Sequence, residues 1–264
     1  MSPLFSALTI TCYVLTLWPL CRGLWQGHRP CLNRVLVFSI LGGVCHLIGT
    51  LLAIFSDGQT NFSLTLSGSL IFSVTVILIA LGGIRHPIHS LLLVIVPIAV
   101  IFIVTTWFGT PSKITSLPGG TAMHVVLSVL AYGIITIAAC CALAMYYCNY
   151  LLKHKQLGRR IDFLPPMETI DKLLFEMILA GQVLLSLSII SGLVFVEDFL
   201  GQRLAHKTFF SLVSWTIFGT LIVGHYKFGW RGAKAIKWTL AGFIALLIAY
   251  VGSKFVIEWI LGSV

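Results

Sequence analysis

Charge is what this 264-residue chain lacks most: 9% of its residues are Asp, Glu, Lys or Arg, against 58% hydrophobic. A water-soluble domain is about a quarter charged, so the chain has too little polar surface to cover itself in water. That excludes a soluble enzyme or binding module and leaves an integral membrane protein. Acidic residues number only 8, and none falls deep in an apolar run. Glu176 and Glu258 lie near run ends. Proton- and sodium-coupled transporters usually keep a carboxylate mid-membrane, so a small-solute transporter is disfavoured. No G-x-S-x-G, H-E-x-x-H or phosphate-cradling glycine loop occurs, and the chain is read as non-enzymatic. The seven cysteines form no C-x-x-C, and none sits in an expected external loop. Structural disulfides and dithiol exchange with an outside partner are therefore not expected. Internal repeats and low-complexity tracts are also missing.

Long apolar runs dominate what is present. A spanning helix needs about 20 mostly apolar residues, and eight segments qualify: roughly 3–20, 35–55, 64–83, 90–109, 123–150, 173–196, 208–228 and 238–261. Spanning β-strands would be about ten residues long and alternate in polarity, which these runs do not. The expectation is an all-α, polytopic bundle of about eight transmembrane helices, forming one integral membrane domain over 1–264. The first run has no basic residue ahead of it, so it is read as a retained helix rather than a cleaved signal peptide. The longest connection, "KHKQLGRRIDFLPPMETIDK" (153–172), carries Pro165-Pro166, which breaks any helix there.

The 17 Lys and Arg fall unevenly. Thirteen lie at one alternate set of loops and helix ends: Arg22, Arg29, Arg34, Arg85, Lys153, Lys155, Arg159, Arg160, Lys172, Lys227, Arg231, Lys234 and Lys237. The other set holds Lys113, Arg203, Lys207 and Lys254. The richer set is expected in the cytoplasm, which puts both termini outside. The net charge of +9 is thus a topology signal with membrane lipids as partners, and no nucleic acid is implied.

Eight histidines remain to be sorted. His28, His86, His89 and His154 lie in or beside loops of the basic set, and His206 in an external loop, where solvation accounts for them. "HPIH" offers His86 and His89 as a metal pair only weakly, because Pro87 disrupts a shared helical face. His46, in "GGVCHLIGT", lies near the middle of its span and shares a face with Ser39, Gly42, Gly49 and Thr50. It is either a buried, hydrogen-bonded histidine or a ligand. His124 opens the fifth span above a stripe of Ser128, Tyr132 and Thr136. It is either a wet helix end with interhelical hydrogen bonds or an imidazole offered to a ligand. His225, in "GTLIVGHYKFGWRG", lies near the basic end of the seventh span on the face of Ser211, Ser214 and Phe218. It is either an interfacial residue beside Lys227 and Trp230 or an iron ligand. Neutral imidazoles among apolar helices suit haem iron, whose porphyrin packs against lipid-like side chains.

The blocks "HVVLSVLAYGIITIAACCALAMYY", "LAGQVLLSLSIISGLVF", "SLVSWTIFGTLIVGHYKFGWRG" and "LAYVGSKFV" together resemble the cytochrome c assembly family of haem-handling membrane proteins. Within it they are most similar to a YpjD-like bacterial inner-membrane branch. The resemblance covers most of the chain and is best from residue 123 onward. It implies that His124 matches the histidine flanking an external haem site. It also implies that His225 matches the intramembrane ligand after the S-L-x-x-W block, with haem b as cofactor. His46 has no assigned counterpart, but its depth makes it a candidate second ligand.

Two features depart from the family. Haem-delivering members carry a tryptophan-rich segment where this chain reads "VEDFLGQRLAHKTFF", and a second external histidine where its end reads "EWILGSV". The expectation is haem binding in support of cytochrome complex assembly, not holocytochrome c synthesis by this chain alone. The alternative is a cofactor-free accessory or regulatory subunit of another membrane protein, such as an ion transporter.

Overall fold

A computed structural model describes residues 2–26, 31–56, 60–61, 63–108, 113–114, 119–155, 164–195 and 202–252. Each apolar run becomes a helix because lipid offers no partner for backbone N–H and C=O groups, so each segment must satisfy its own. The helices are α1 (Pro3–Gln26), α2 (Leu32–Ile54), α3 (Leu64–Gly82), α4 (Leu92–Thr105), α5 (Gly119–Lys153), α6 (Met167–Phe195), α7 (Gln202–Phe228) and α8 (Ala233–Leu247). A 3-10 turn, His89–Leu91, precedes α4, and a π turn, Ile248–Gly252, follows α8.

Helix ends fall where local chemistry places them. The Ser63 hydroxyl accepts from the Leu66 N–H and caps α3. Pro165-Pro166 immediately precedes α6, whose first turn hangs on the Pro166 carbonyl. Gly229 and Gly232, both at positive φ, separate α7 from α8.

Among the described residues, seven of the eight helices are long and apolar enough to cross a membrane. The fourth is shorter than the expected 90–109 run. Its α-helical part has 14 residues, about 21 Å at 1.5 Å per residue, against a hydrocarbon core of about 30 Å. It is preceded by the 3-10 turn at His89. At its other end the Thr105 and Thr106 hydroxyls turn back onto the Phe102 and Ile103 carbonyls. The expected external loops also hold something unforeseen: Thr60–Asn61 pairs antiparallel with Lys113–Ile114, tying the α2–α3 and α4–α5 connections together.

α5 and α6 share the most extensive interface. α1–α2–α3–α4 pack as neighbours on one side, α7 and α8 pair on the other, and α3–α5 and α5–α8 contacts join the two groups. One core runs through both, from Tyr13 and Ile79 by Ile135 and Leu174 to Phe218. The last expected span, 238–261, is α-helical to Leu247 and continues as the π turn to Gly252; residues 253–261, with Lys254 and Glu258, lie outside the described residues. So do His28, Arg29, Arg159 and Arg160, and the side chains of Lys113, Arg203 and His206.

Candidate functional site

The three histidines singled out by sequence occupy three separate environments. His46, fully buried on α2, sits where α1, α2 and α3 meet. Gly42 lets α1 approach there, since a Cβ at 42 would lie 2.8 Å from the Tyr13 ring. The Tyr13 hydroxyl lies 3.0 Å from His46 Nδ1, and the Ser69 hydroxyl 2.6 Å from Nε2. Thr50 extends the chain to Ser69 at 3.1 Å. Further along the α1–α2 seam, Ser39 donates to the Val35 carbonyl and lies 3.4 Å from Thr16. Both ring nitrogens of His46 are occupied. An iron atom would have to break one of these bonds, stripping either Tyr13 or Ser69 of its contact with the ring inside a buried seam.

His124, half-buried near the start of α5, points its Nδ1 at the Ser188 carbonyl of α6, 2.8 Å away, with the Ser191 hydroxyl at 3.3 Å. A carbonyl only accepts, so Nδ1 carries the proton. The polar stripe below it is absorbed by packing. Ser128 bonds the His124 carbonyl at 2.8 Å and Ser188 Oγ at 2.7 Å, and lies 3.5 Å from His124 Nε2. Thr136 donates to the Tyr132 carbonyl at 2.7 Å. The buried Tyr132 ring meets Tyr250 at 5.5 Å.

His225 ends α7 in a compact local structure. Gly229, at φ +63°, donates its N–H to the His225 carbonyl at 3.1 Å, the left-handed helix cap that glycine favours. The chain then folds back so that the Trp230 N–H reaches the Gly224 carbonyl at 3.1 Å. The indole covers Gly224 so closely that a Cβ there would collide with it. His225 Nδ1 lies 3.0 Å from the Trp230 carbonyl and must be the donor. Nε2 has no hydrogen-bond partner among the described residues. Phe175 of α6 stacks on the ring, centroids 3.5 Å apart at 22°. Trp230 is held in turn by the Lys234 ammonium, 4.4 Å from a ring centroid, and by Trp238, ring centroids 5.4 Å apart. Exposed Arg231 lies 3.9 Å from half-buried Asp171, and Lys227 is exposed.

No two of these histidines face one another. His124 meets α6 at Ser188 and His225 meets it at Phe175, thirteen residues apart. That is about 20 Å along the helix, too far for one iron to be gripped from both sides. His46 packs with α1 and α3 and has no nitrogen to spare. Among the described residues no group of three His, Cys, Asp or Glu is arranged as a metal site. The chemistry that fits haem iron is therefore a single imidazole with its second nitrogen hydrogen-bonded to a carbonyl, an arrangement that metal-ligating histidines commonly adopt. His225 has it without a competing contact.

The remaining members of the sequence pattern do structural work. Ser214 donates to the Gly242 carbonyl of α8 at 2.9 Å, and buried Phe218 packs on Gly242. Trp215, of the S-L-x-x-W block, pins α7 to α6. Its indole donates to Ser186 at 2.8 Å, and its carbonyl accepts from Gln182 at 3.1 Å. Opposite His225 on α7, an open groove of about 420 Å³ runs past Thr216, Gly219, Thr220 and Gly224 between Trp215 and Trp230. His86 is exposed and His89 half-buried in its 3-10 turn. The described side chains of all seven cysteines are free thiols. Sequence reading missed Tyr13 and Ser69, Phe175, and the Ser188 and Trp230 carbonyls. Only Trp230 had a visible signal, the Gly229 that follows the last helical residue.

Comparison with known proteins finds relatives for the chain. The family described as Cytochrome C assembly protein matches residues 35–261. Inner membrane protein YpjD of Escherichia coli (strain K12) is 30% identical over 258 residues, 96% of this chain and 98% of its own. Protein HemX of Brevibacillus brevis is 28% identical over 136 residues, 49% of this chain and 48% of its own. Cytochrome c biogenesis protein CcsA of Prochlorococcus marinus (strain AS9601) is 26% identical over 157 residues, 50% of each chain. No solved structure matches at a significant level.

Proposed function

The chain belongs to the cytochrome c assembly protein family, a multi-pass bacterial inner-membrane protein, and from that premise we propose that it binds haem b and supports cytochrome complex assembly. The observation that carries this reading is the state of His225: Nδ1–H given to the Trp230 carbonyl at 3.0 Å, and Nε2 left unpaired. His225 Nε2 would hold the iron, with Phe175 against the imidazole. Lys227 and Arg231, at the same helix end, would neutralise the propionates. Haem supplies an iron centre able to take up and release one electron. The chain's part is to keep the imidazole aimed and shielded on one face. His124 would serve an external ligand in its own right, about 20 Å away along α6. His46 is assigned to the scaffold.

The test is one absorption spectrum. Protein purified in mild detergent and supplied with hemin is expected to show a Soret band that His225→Ala abolishes and His46→Ala leaves in place. A hemin-saturated preparation without a Soret band, or one indifferent to His225→Ala, overturns the reading.

A second reading, a cofactor-free accessory subunit of another membrane protein, draws on the groove on α7. Thr216 and Thr220 lie one turn apart there beside Gly219, and small residues on one helix face let a foreign helix approach closely. Recovery of a stoichiometric, unpigmented complex would favour it.

A further inference from the structure

We infer that the backbone carbonyl of Trp230, delivered by the glycine cap of α7, fixes which nitrogen of His225 carries the proton, and that Gly224 and Gly229 are its positioning residues. The inference deepens the haem reading by naming what prepares the ligand, and it rests on that reading only for its functional meaning.

A free imidazole distributes its proton between two nitrogens. Hydroxyl partners do not choose, because each can donate or accept; Tyr13 and Ser69 leave His46 free to adopt either tautomer. A carbonyl does choose. With the Trp230 oxygen 3.0 Å from Nδ1, neutral His225 is protonated there, and its lone pair is confined to Nε2.

Reaching that arrangement requires the chain to reverse within five residues of the histidine. Gly229 makes the reversal at φ +63°, where a Cβ is disfavoured. His225 is engaged twice by the same turn, through its own carbonyl from Gly229 N–H and through Nδ1 to Trp230. Gly224 completes the closure. Its carbonyl receives the Trp230 N–H, and its missing side chain makes room for the indole. Phe175 then fixes the plane of the ring. Gly232, also at positive φ (+59°) and with open space around its Cα, lies beyond the turn. It is a control for backbone strain alone.

The test is a tautomer measurement on the haem-free protein. Full-length protein with 15N-labelled histidine is placed in lipid nanodiscs above pH 8, and the His225 resonances are assigned by their disappearance in His225→Gln. Wild type is expected to be protonated at Nδ1. Gly229→Ala and Gly224→Val are expected to shift His225 toward the Nε2–H form and to weaken hemin binding about tenfold or more, the usual effect of losing such a partner. Gly232→Ala is expected to do neither. Gly229→Asn, whose side chain tolerates the left-handed region, and Trp230→Phe, which keeps the carbonyl, are expected to retain the Nδ1–H form. They keep the test decisive if the alanine variant misfolds. An Nε2-protonated His225 in wild type, or a tautomer unchanged by Gly229→Ala, overturns the inference. Wild type that shows the Nδ1–H form but binds no hemin upholds the inference and removes the haem reading instead.

Discussion

α1–α3 and α5–α7 each hold a histidine at a helix interface, and the two regions use it in opposite ways. In the first, His46 is fully buried and closed on both sides by hydroxyls from neighbouring helices. In the second, His225 is half-buried and bonded on one side only, to a carbonyl. The first arrangement satisfies every polar atom of the ring and so stabilises a seam. The second withholds one nitrogen, which is wasteful in a scaffold and useful in a ligand. Depth in the membrane thus does not decide which ring keeps a nitrogen open; the groups on the neighbouring segments do.

The contrast breaks most sharply on haem. His225→Ala is expected to abolish the Soret band in a hemin titration, whereas His46→Ala leaves the titration unchanged. Equal losses in both variants would erase the distinction. Stability should respond the other way. Removing His46 leaves the Tyr13 hydroxyl buried without its ring partner, about 1–3 kcal/mol, beyond the lost packing of the ring, while Ser69 keeps Thr50 at 3.1 Å. Thermal unfolding in bicelles would register this, and the His225→Ala apoprotein should be nearly unaffected. Next in size, Gly42→Leu is expected to force α1 away from α2, since even a Cβ there would lie 2.8 Å from the Tyr13 ring; overpacking of this kind costs about 1–3 kcal/mol. The same melt checks it, with hemin affinity held. The smallest effect sharpens the picture: Tyr13→Phe removes one interhelical hydrogen bond, about 0.6 kcal/mol in a membrane setting. A steric-trap measurement of α1–α2 separation has the resolution to see it.

The helical architecture was legible because lipid imposes a long, crude signal. Apolar runs of about twenty residues, broken by Arg85, Pro165-Pro166 or Gly229, foretold the order of elements and most of their positions. α4 came out short because turn formation around His89 and the Thr105–Thr106 pair is decided by local hydrogen bonds that an apolar window does not register. The Thr60–Asn61 ladder with Lys113–Ile114 escaped for a related reason, since pairing across the chain leaves no periodicity in either segment. At the site, the residue types carried the first step: a histidine in lipid is costly, and all three candidates do contact neighbouring elements. Their ranking was not readable. Tyr13 lies 33 residues from His46, and no spacing rule connects them. The Trp230 carbonyl belongs to the backbone and has no letter of its own.

α5 has one more consequence. Its 35 residues measure about 52 Å, whereas a bilayer with its headgroups is about 40–45 Å thick, and a tilt of about 20° shortens the helix's reach by only a few ångströms. A rod longer than the sheet it pierces must emerge, so its final turn, Tyr150 to Lys153, should trade amide protons with deuterated water while Ala138–Ala142 stays sealed. Measured peptide by peptide, that gradient is a depth gauge, and it reports where the bilayer surface crosses the protein.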